Sequence, residues 1–177
     1  MFMNRVKNLA AATTLCALAA PGVGHAATGP GDSIINLAVS LNAPGSEFEG
    51  AFDTLLAAVL VADPIVLQKL SDIGQHTVFA PTDDAFAAIG LDESSITAVD
   101  RDTLTQILLY HIIQGRINAG IVTNRDELKM LTGLRVQQSG GVLTDETGDQ
   151  ATIIVTDQKT ENGLIHAIDA VLKPFEL

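Results

Sequence analysis

Thr77-Val78-Phe79-Ala80-Pro81-Thr82-Asp83-Asp84-Ala85-Phe86-Ala87-Ala88-Ile89 decides how the rest of the chain is read. Its first four residues are β-branched or apolar, which predicts a short buried strand. Pro81 ends the ladder because it has no N–H to give. Thr82 then stands where an N-cap hydroxyl accepts the first free amides of a helix, and Asp83 and Asp84 set negative charge against that helix's positive end. Phe86 and Ile89 lie three apart and are placed toward the core. A strand, a proline stop and a capped helix make a corner on which other elements can assemble. By itself it carries architecture and no chemistry.

Upstream, Ile34 to Leu41 reads as a short first helix closed by Asn42-Ala43-Pro44-Gly45. Phe52, Leu55, Leu56, Val59 and Leu60 then follow the i, i+3, i+4, i+7, i+8 series of a helix that buries one face. Asp63-Pro64 supplies a cap with proline at the first helical position. The helix it starts, with Val66, Leu67, Leu70 and Ile73 on its apolar face, stops at Gly74.

Downstream, Gly90 ends the corner helix, and the polar segment from Asp92 to Asp102 leads into another. There Leu104, Ile107, Leu108 and His111 share a face, and Gly115 closes the element. Arg116 to Asn124 reads as a connecting turn of helix. From Leu128 the period changes to two: Leu134, Val136 and Gln138 alternate with Arg135 and Gln137, and Gly140-Gly141 offers the positive φ of a tight hairpin. Asp145 to Gln150 is a second turn, Ala151 to Thr156 a strand, and Asn162-Gly163 another hairpin signal before Leu164 to Asp169. The second half is an antiparallel meander. Helices first and strands last predict segregated α+β packing. No internal repeat, low-complexity tract or heptad pattern stands out.

The beginning of the chain has the layout of a secretory signal peptide: Arg5 and Lys7, an apolar run from Leu9 to Ala20, then small residues with cleavage expected after Ala26 or Ala27. The run is about 12 residues against the ~20 that a membrane span needs. Residues 1–27 are therefore read as the signal, 28–33 as a Gly, Pro and Ser rich leader, and 34–177 as one domain of a size that holds a single core. Cys16 leaves with the signal, so the mature chain has no disulfides. Lys and Arg number 10 against 21 Asp and Glu, a net charge of −11; without Arg5 and Lys7 it is 8 against 21, or −13. An acidic chain with no tryptophan and one tyrosine suits neither nucleic acid nor an anionic lipid surface. The charge serves solubility.

The residues that carry chemistry elsewhere have bland readings here. His76, His111 and His166 are far apart and lack a cysteine or a His-x-x-x-His pair, so no metal site is expected. His111 on its apolar stripe and His166 between Leu164 and Ile168 read as core histidines that need hydrogen-bond partners. Asp83 and Asp84 are neighbours at a helix start and point in different directions, which suits capping better than acid/base work across a bond. The chain has no Gly-x-Ser-x-Gly, phosphate-cradling glycine loop or dinucleotide fingerprint. No catalysis and no cofactor are expected. Tyr110, turned about 100° from His111 on the same helix, is placed at the edge of the core with a potential exposed role. Its alternative is a packed ring whose hydroxyl finds a partner.

Three stretches taken together carry a family resemblance: the corner at Thr77, Leu108-Leu109-Tyr110-His111-Ile112-Ile113-Gln114-Gly115, and Asn162-Gly163-Leu164-Ile165-His166-Ala167-Ile168-Asp169-Ala170-Val171-Leu172-Lys173-Pro174. In order and spacing they resemble the conserved blocks of the fasciclin (FAS1) domain, from about Ile34 to Pro174. Against that pattern, Ser46 to Gly50 reads as a local insertion. The resemblance implies a wedge-shaped antiparallel β-sandwich flanked by α-helices from the N-terminal half. It also implies a secreted, periplasmic or cell-surface interaction module, associated with cell adhesion and matrix contact, with an unidentified protein or polysaccharide as partner. It makes Tyr110 and His111 the candidate binding residues. No Arg-Gly-Asp and no Asn-x-Ser/Thr acceptor supports integrin-type recognition or glycosylation. Some relatives bind carotenoids, so a carrier of an apolar small molecule such as a carotenoid or lipid stands as the alternative function.

Overall fold

The computed structural model describes residues 33–46 and 48–175, so the signal peptide read at 1–27 and nearly all of the leader lie outside the described residues. Three helices come first: α1 (Ile34–Leu41), α2 (Asp53–Val61) and α3 (Pro64–Ser71). Strand β1 (His76–Pro81) and helix α4 (Asp83–Ala88) form the expected corner. A 3-10 turn (Ile96–Ala98), α5 (Arg101–Tyr110), β2 (Ile112–Gln114) and α6 (Ala119–Thr123) lead into the strands. These are β3 (Glu127–Lys129), β4 (Arg135–Ser139), β5 (Val142–Thr144), β6 (Gln150–Lys159) and β7 (Gly163–Ile168).

The strands run in the order β2-β1-β7-β6-β5-β4-β3. From β3 to β7 each strand pairs antiparallel with its successor, which is the expected meander. Among the described residues the one parallel pair is β1 with β7, from His76↔Gly163 to Pro81↔Ile168. Both strands are buried at every position, as parallel neighbours covered on both faces must be. Their alternate residues divide the interior in two. Val78, Ala80, Ile165 and Ala167 join the core under the helices, with Phe52, Val66, Phe86 and Leu108. Phe79 and Ile168 join a second core with Leu128, Val136, Leu143 and Ala151 from β3 to β6, so the two halves of the sheet face each other as a sandwich. The molecule is α+β.

β6 belongs to both halves. Gln150 to Thr152 pair with β5 and Ile153 to Lys159 with β7, with two register shifts and Asp157 at a φ of 59°. Such shifts bend a strand and sharpen its twist, which lets one strand serve two layers.

The structure departs from the sequence reading at several places. Thr82 is the N-cap of α4 but its hydroxyl makes no capping bond. The neighbouring Asp83 instead accepts from Thr54 N–H at 2.9 Å and Asp53 N–H at 3.3 Å, capping α2, whose own N-cap Phe52 has no side-chain acceptor. Asp83→Ala is therefore expected to cost about 1–2 kcal/mol in a urea melt, while Asp84→Ala at an exposed site stays within ~0.5 kcal/mol. Leu60 and Ile73, expected inward, are 79% and 93% exposed: α3 ends at Ser71, before its period reaches Ile73. The helix expected to run to Gly115 stops at Tyr110, because the β-branched pair Ile112 and Ile113 is recruited as a strand against β1.

Candidate functional site

Tyr110 and His111 sit where α5 gives way to β2, and neither reaches solvent: Tyr110 is 0% and His111 2% exposed. The edge position of Tyr110 is corrected, and its other reading, a packed ring whose hydroxyl finds a partner, is the one the structure holds. Tyr110 and His111 do face different ways, but both directions are covered. Tyr110 enters the sandwich core with Leu128, Val136 and Leu143, and its hydroxyl donates to the Arg135 carbonyl on β4 at 3.0 Å. Burial pushes its phenol well above the usual range. His111 donates from Nδ1 to the Ile107 carbonyl at 2.7 Å and accepts at Nε2 from Leu172 N–H at 3.0 Å. Its backbone carbonyl receives Phe79 N–H at 2.9 Å. Burial pushes the ring down to about 4, and these two bonds fix it as the neutral Nδ1–H form.

His166 is built on the same plan. Its Nε2–H donates to Ile117 O at 2.9 Å, its Nδ1 accepts from Asp157 N–H at 3.1 Å, and its ring stacks on Phe79 with centroids 5.6 Å apart. Burial lowers its basicity too. The expectation of hydrogen-bonded core histidines matches both. Among the described residues no group of three or more His, Cys, Asp or Glu side chains could hold a metal ion.

Two polar residues read only as turn formers turn out to be hubs. Asp145, itself buried, accepts at Oδ1 from Thr147 N–H and Asp149 N–H and at Oδ2 from Lys173 N–H, tying the β5–β6 turn to the chain's last segment. Asn162 accepts from Ile34 N–H at 2.8 Å and donates to Leu70 O at 2.7 Å and Asp72 O at 3.0 Å, joining α1, α3 and the β6–β7 turn. Asp-x-Thr-Gly-Asp at the first site is a local signal for an Asx turn.

β4, to which the Tyr110 hydroxyl bonds, carries a polar surface. The Arg135 guanidinium pairs with Glu127, and Glu127, Gln137 and Thr144 are cross-strand neighbours on β3, β4 and β5. With Asp126, Gln138 and Ser139 they line an open groove of about 380 Å³. Ile35, Ala38, Leu56, Val59 and Leu70 help line an apolar cavity of about 40 Å³ between the first three helices and the sheet, which His111 also borders.

A two-layer α+β domain of helices on a mostly antiparallel sheet fits the FAS1 fold, and the comparisons agree. The fasciclin domain model matches residues 50–174, and the chain belongs to that family. It is 37% identical over 160 residues to protein sll1483 of Synechocystis sp., covering 86% of this chain and 79% of that one. It is 31% identical to human periostin over 71% of its own length but only 15% of periostin's. The structure of a FAS1 domain pair from the insect cell adhesion molecule fasciclin I matches with a TM-score of 0.53 at 28% identity, over 70% of this chain and 45% of that one.

Proposed function

We propose that this chain is a secreted, non-catalytic interaction module that attaches to a cell surface or matrix by binding protein or polysaccharide. The observation that carries the reading is its membership of the fasciclin family, of which fasciclin I is described as a cell adhesion molecule. Tyr110 takes part by holding β4 at Arg135, and the β3–β4–β5 face offers carboxylate, amide and hydroxyl groups in one groove, while His111 stays in the interior. Such groups suit a polar, uncharged or cationic partner, hydroxyl-rich polymer included, and the acidic chain disfavours anionic ones. The test is binding of the mature domain to its producer's cells and to their extracted surface polymers. Gln137→Ala with Thr144→Ala is expected to lower affinity about tenfold, or ~1.4 kcal/mol, with an unchanged melting temperature. Unaltered binding by that variant would move the contact to another face.

The carrier reading rests on the apolar cavity. Its lining is suitable, but its volume of about 40 Å³ is small beside the roughly 300–1,000 Å³ of ligand pockets. A carotenoid or lipid exceeds that volume and would require the lining elements to part. Colour or extractable lipid in protein from its own producer would favour this reading.

A further inference from the structure

The last described segment runs as a strap over the line where the two cores meet. Asp169 N–H donates to Thr152 O at 3.1 Å, Val171 then drops into the helical core and Leu172 into the sandwich core. Three successive attachments hold it: Leu172 N–H on His111 Nε2 at 3.0 Å, Lys173 N–H on Asp145 Oδ2 at 2.8 Å, and the Lys173 ammonium on Asp149 at 2.5 Å. Val171 and Leu172 are buried, so the backbone between them is held by side chains in both cores as well as by these polar attachments. It pairs in no strand, whereas β1 and β7 beside it are paired on both edges.

The first attachment has a chemical condition. His111 Nδ1–H is committed to Ile107 O inside the helix terminus, so Nε2 can accept from Leu172 only while it carries no proton. A proton there turns the acceptor into a donor aimed at an N–H. We propose that residues Ala170 to Pro174 form an acid-releasable strap, closed while His111 is neutral and opened by protonation of His111 with the rest of the domain folded.

The charged surroundings allow this. Asp145 is the carboxylate that favours the charged ring, though less than burial opposes it. Glu146 acts on Tyr110 from the same turn, Asp149 is engaged by Lys173, and the cavity side of His111 presents only apolar side chains. The sign follows directly. The ring sits at about 4 when closed against an ordinary value of about 6.5 when released. Strap closure is thus fully favoured above pH ~6.5 and is lost as pH falls toward 4.

Amide hydrogen exchange by NMR on the mature chain tests this, with Val78 and Ile165 in the central strands as the internal reference. Between pH 7 and pH 4.5, protection factors at Leu172 and Lys173 should fall about fifty-fold relative to the reference, the ratio set by those two ring values. His111→Gln, which keeps a polar side chain without titrating in this range, should abolish the response. If that variant does not fold, the loss of strap protection must instead track the His111 ring titration followed through its own signals. Strap amides that follow Val78 and Ile165 at every pH, or a response that persists in His111→Gln or ignores the ring's titration, overturn the proposal. Because no partner is involved, failure here leaves the adhesion reading untouched.

Discussion

Gly163→Ala is expected to leave no folded domain. Gly163 lies opposite His76 at the start of the parallel β1–β7 pair. A Cβ there would sit 2.0 Å from the His76 carbonyl oxygen and 2.7 Å from Ile34 Cδ1. The isoleucine can rotate away. The carbonyl cannot, since moving it means parting the two central strands and with them the Asn162 junction that holds α1 and α3. Loss of that pairing exceeds the ~4–5 kcal/mol that marks an exceptional substitution, close to the whole stability of a domain with ~5–15 kcal/mol. Gly148→Ala separates this close approach from ordinary glycine strain: Gly148 has a φ of 90° with nothing within 4 Å of its missing Cβ. It should cost only about 1–2 kcal/mol for the left-handed backbone. Circular dichroism with urea titration of both variants decides the matter, and a cooperative transition for Gly163→Ala within ~2 kcal/mol of the parent would refute the steric argument.

The contrast shows what was legible. The corner at Thr77, the helix order and the meander follow from period and punctuation, which are local, and all appear in the structure. Asn162-Gly163 is a hairpin signal, but its importance lies in Ile34, which is 128 residues away. No local pattern reports an amide that bonds across such a distance. The same holds for Asp145, whose turn chemistry is visible while its bond to Lys173 is not. The α5 stripe Leu104, Ile107, Leu108 and His111 is buried as its spacing predicts, and the burial of Tyr110 as well has a physical source. Periodicity shows which residues of a helix point apart, but not that the other half of the sheet covers the side away from the first core. Leu60 and Ile73 err the other way, since an apolar side chain at the right spacing is placed inward even where no neighbour arrives.

Tyr110→Ala is expected to cost as much stability as Phe79→Ala or Phe86→Ala, about 3–5 kcal/mol, because all three empty a fully packed site. An exposed contact tyrosine would behave otherwise, with a small stability loss and a large loss of binding. Burial at 0% together with the bond to Arg135 places it among the packing residues. Tyr110→Phe isolates the hydroxyl: it keeps the ring, removes the donor to Arg135 O, and should cost only ~1 kcal/mol. If the β3–β4–β5 face binds the partner, Tyr110→Phe should bind within about threefold of the parent, since β4 keeps its support from beneath; threefold is ~0.7 kcal/mol. Tyr110→Ala, assayed where it remains folded, should lose affinity together with the groove's geometry. Urea midpoints and affinities for the same surface polymer, measured on all four variants, separate the two roles. A near-neutral stability change with abolished binding in Tyr110→Ala would return the residue to the surface and make the pair a contact site, for which the ring would have to swing out from behind β4.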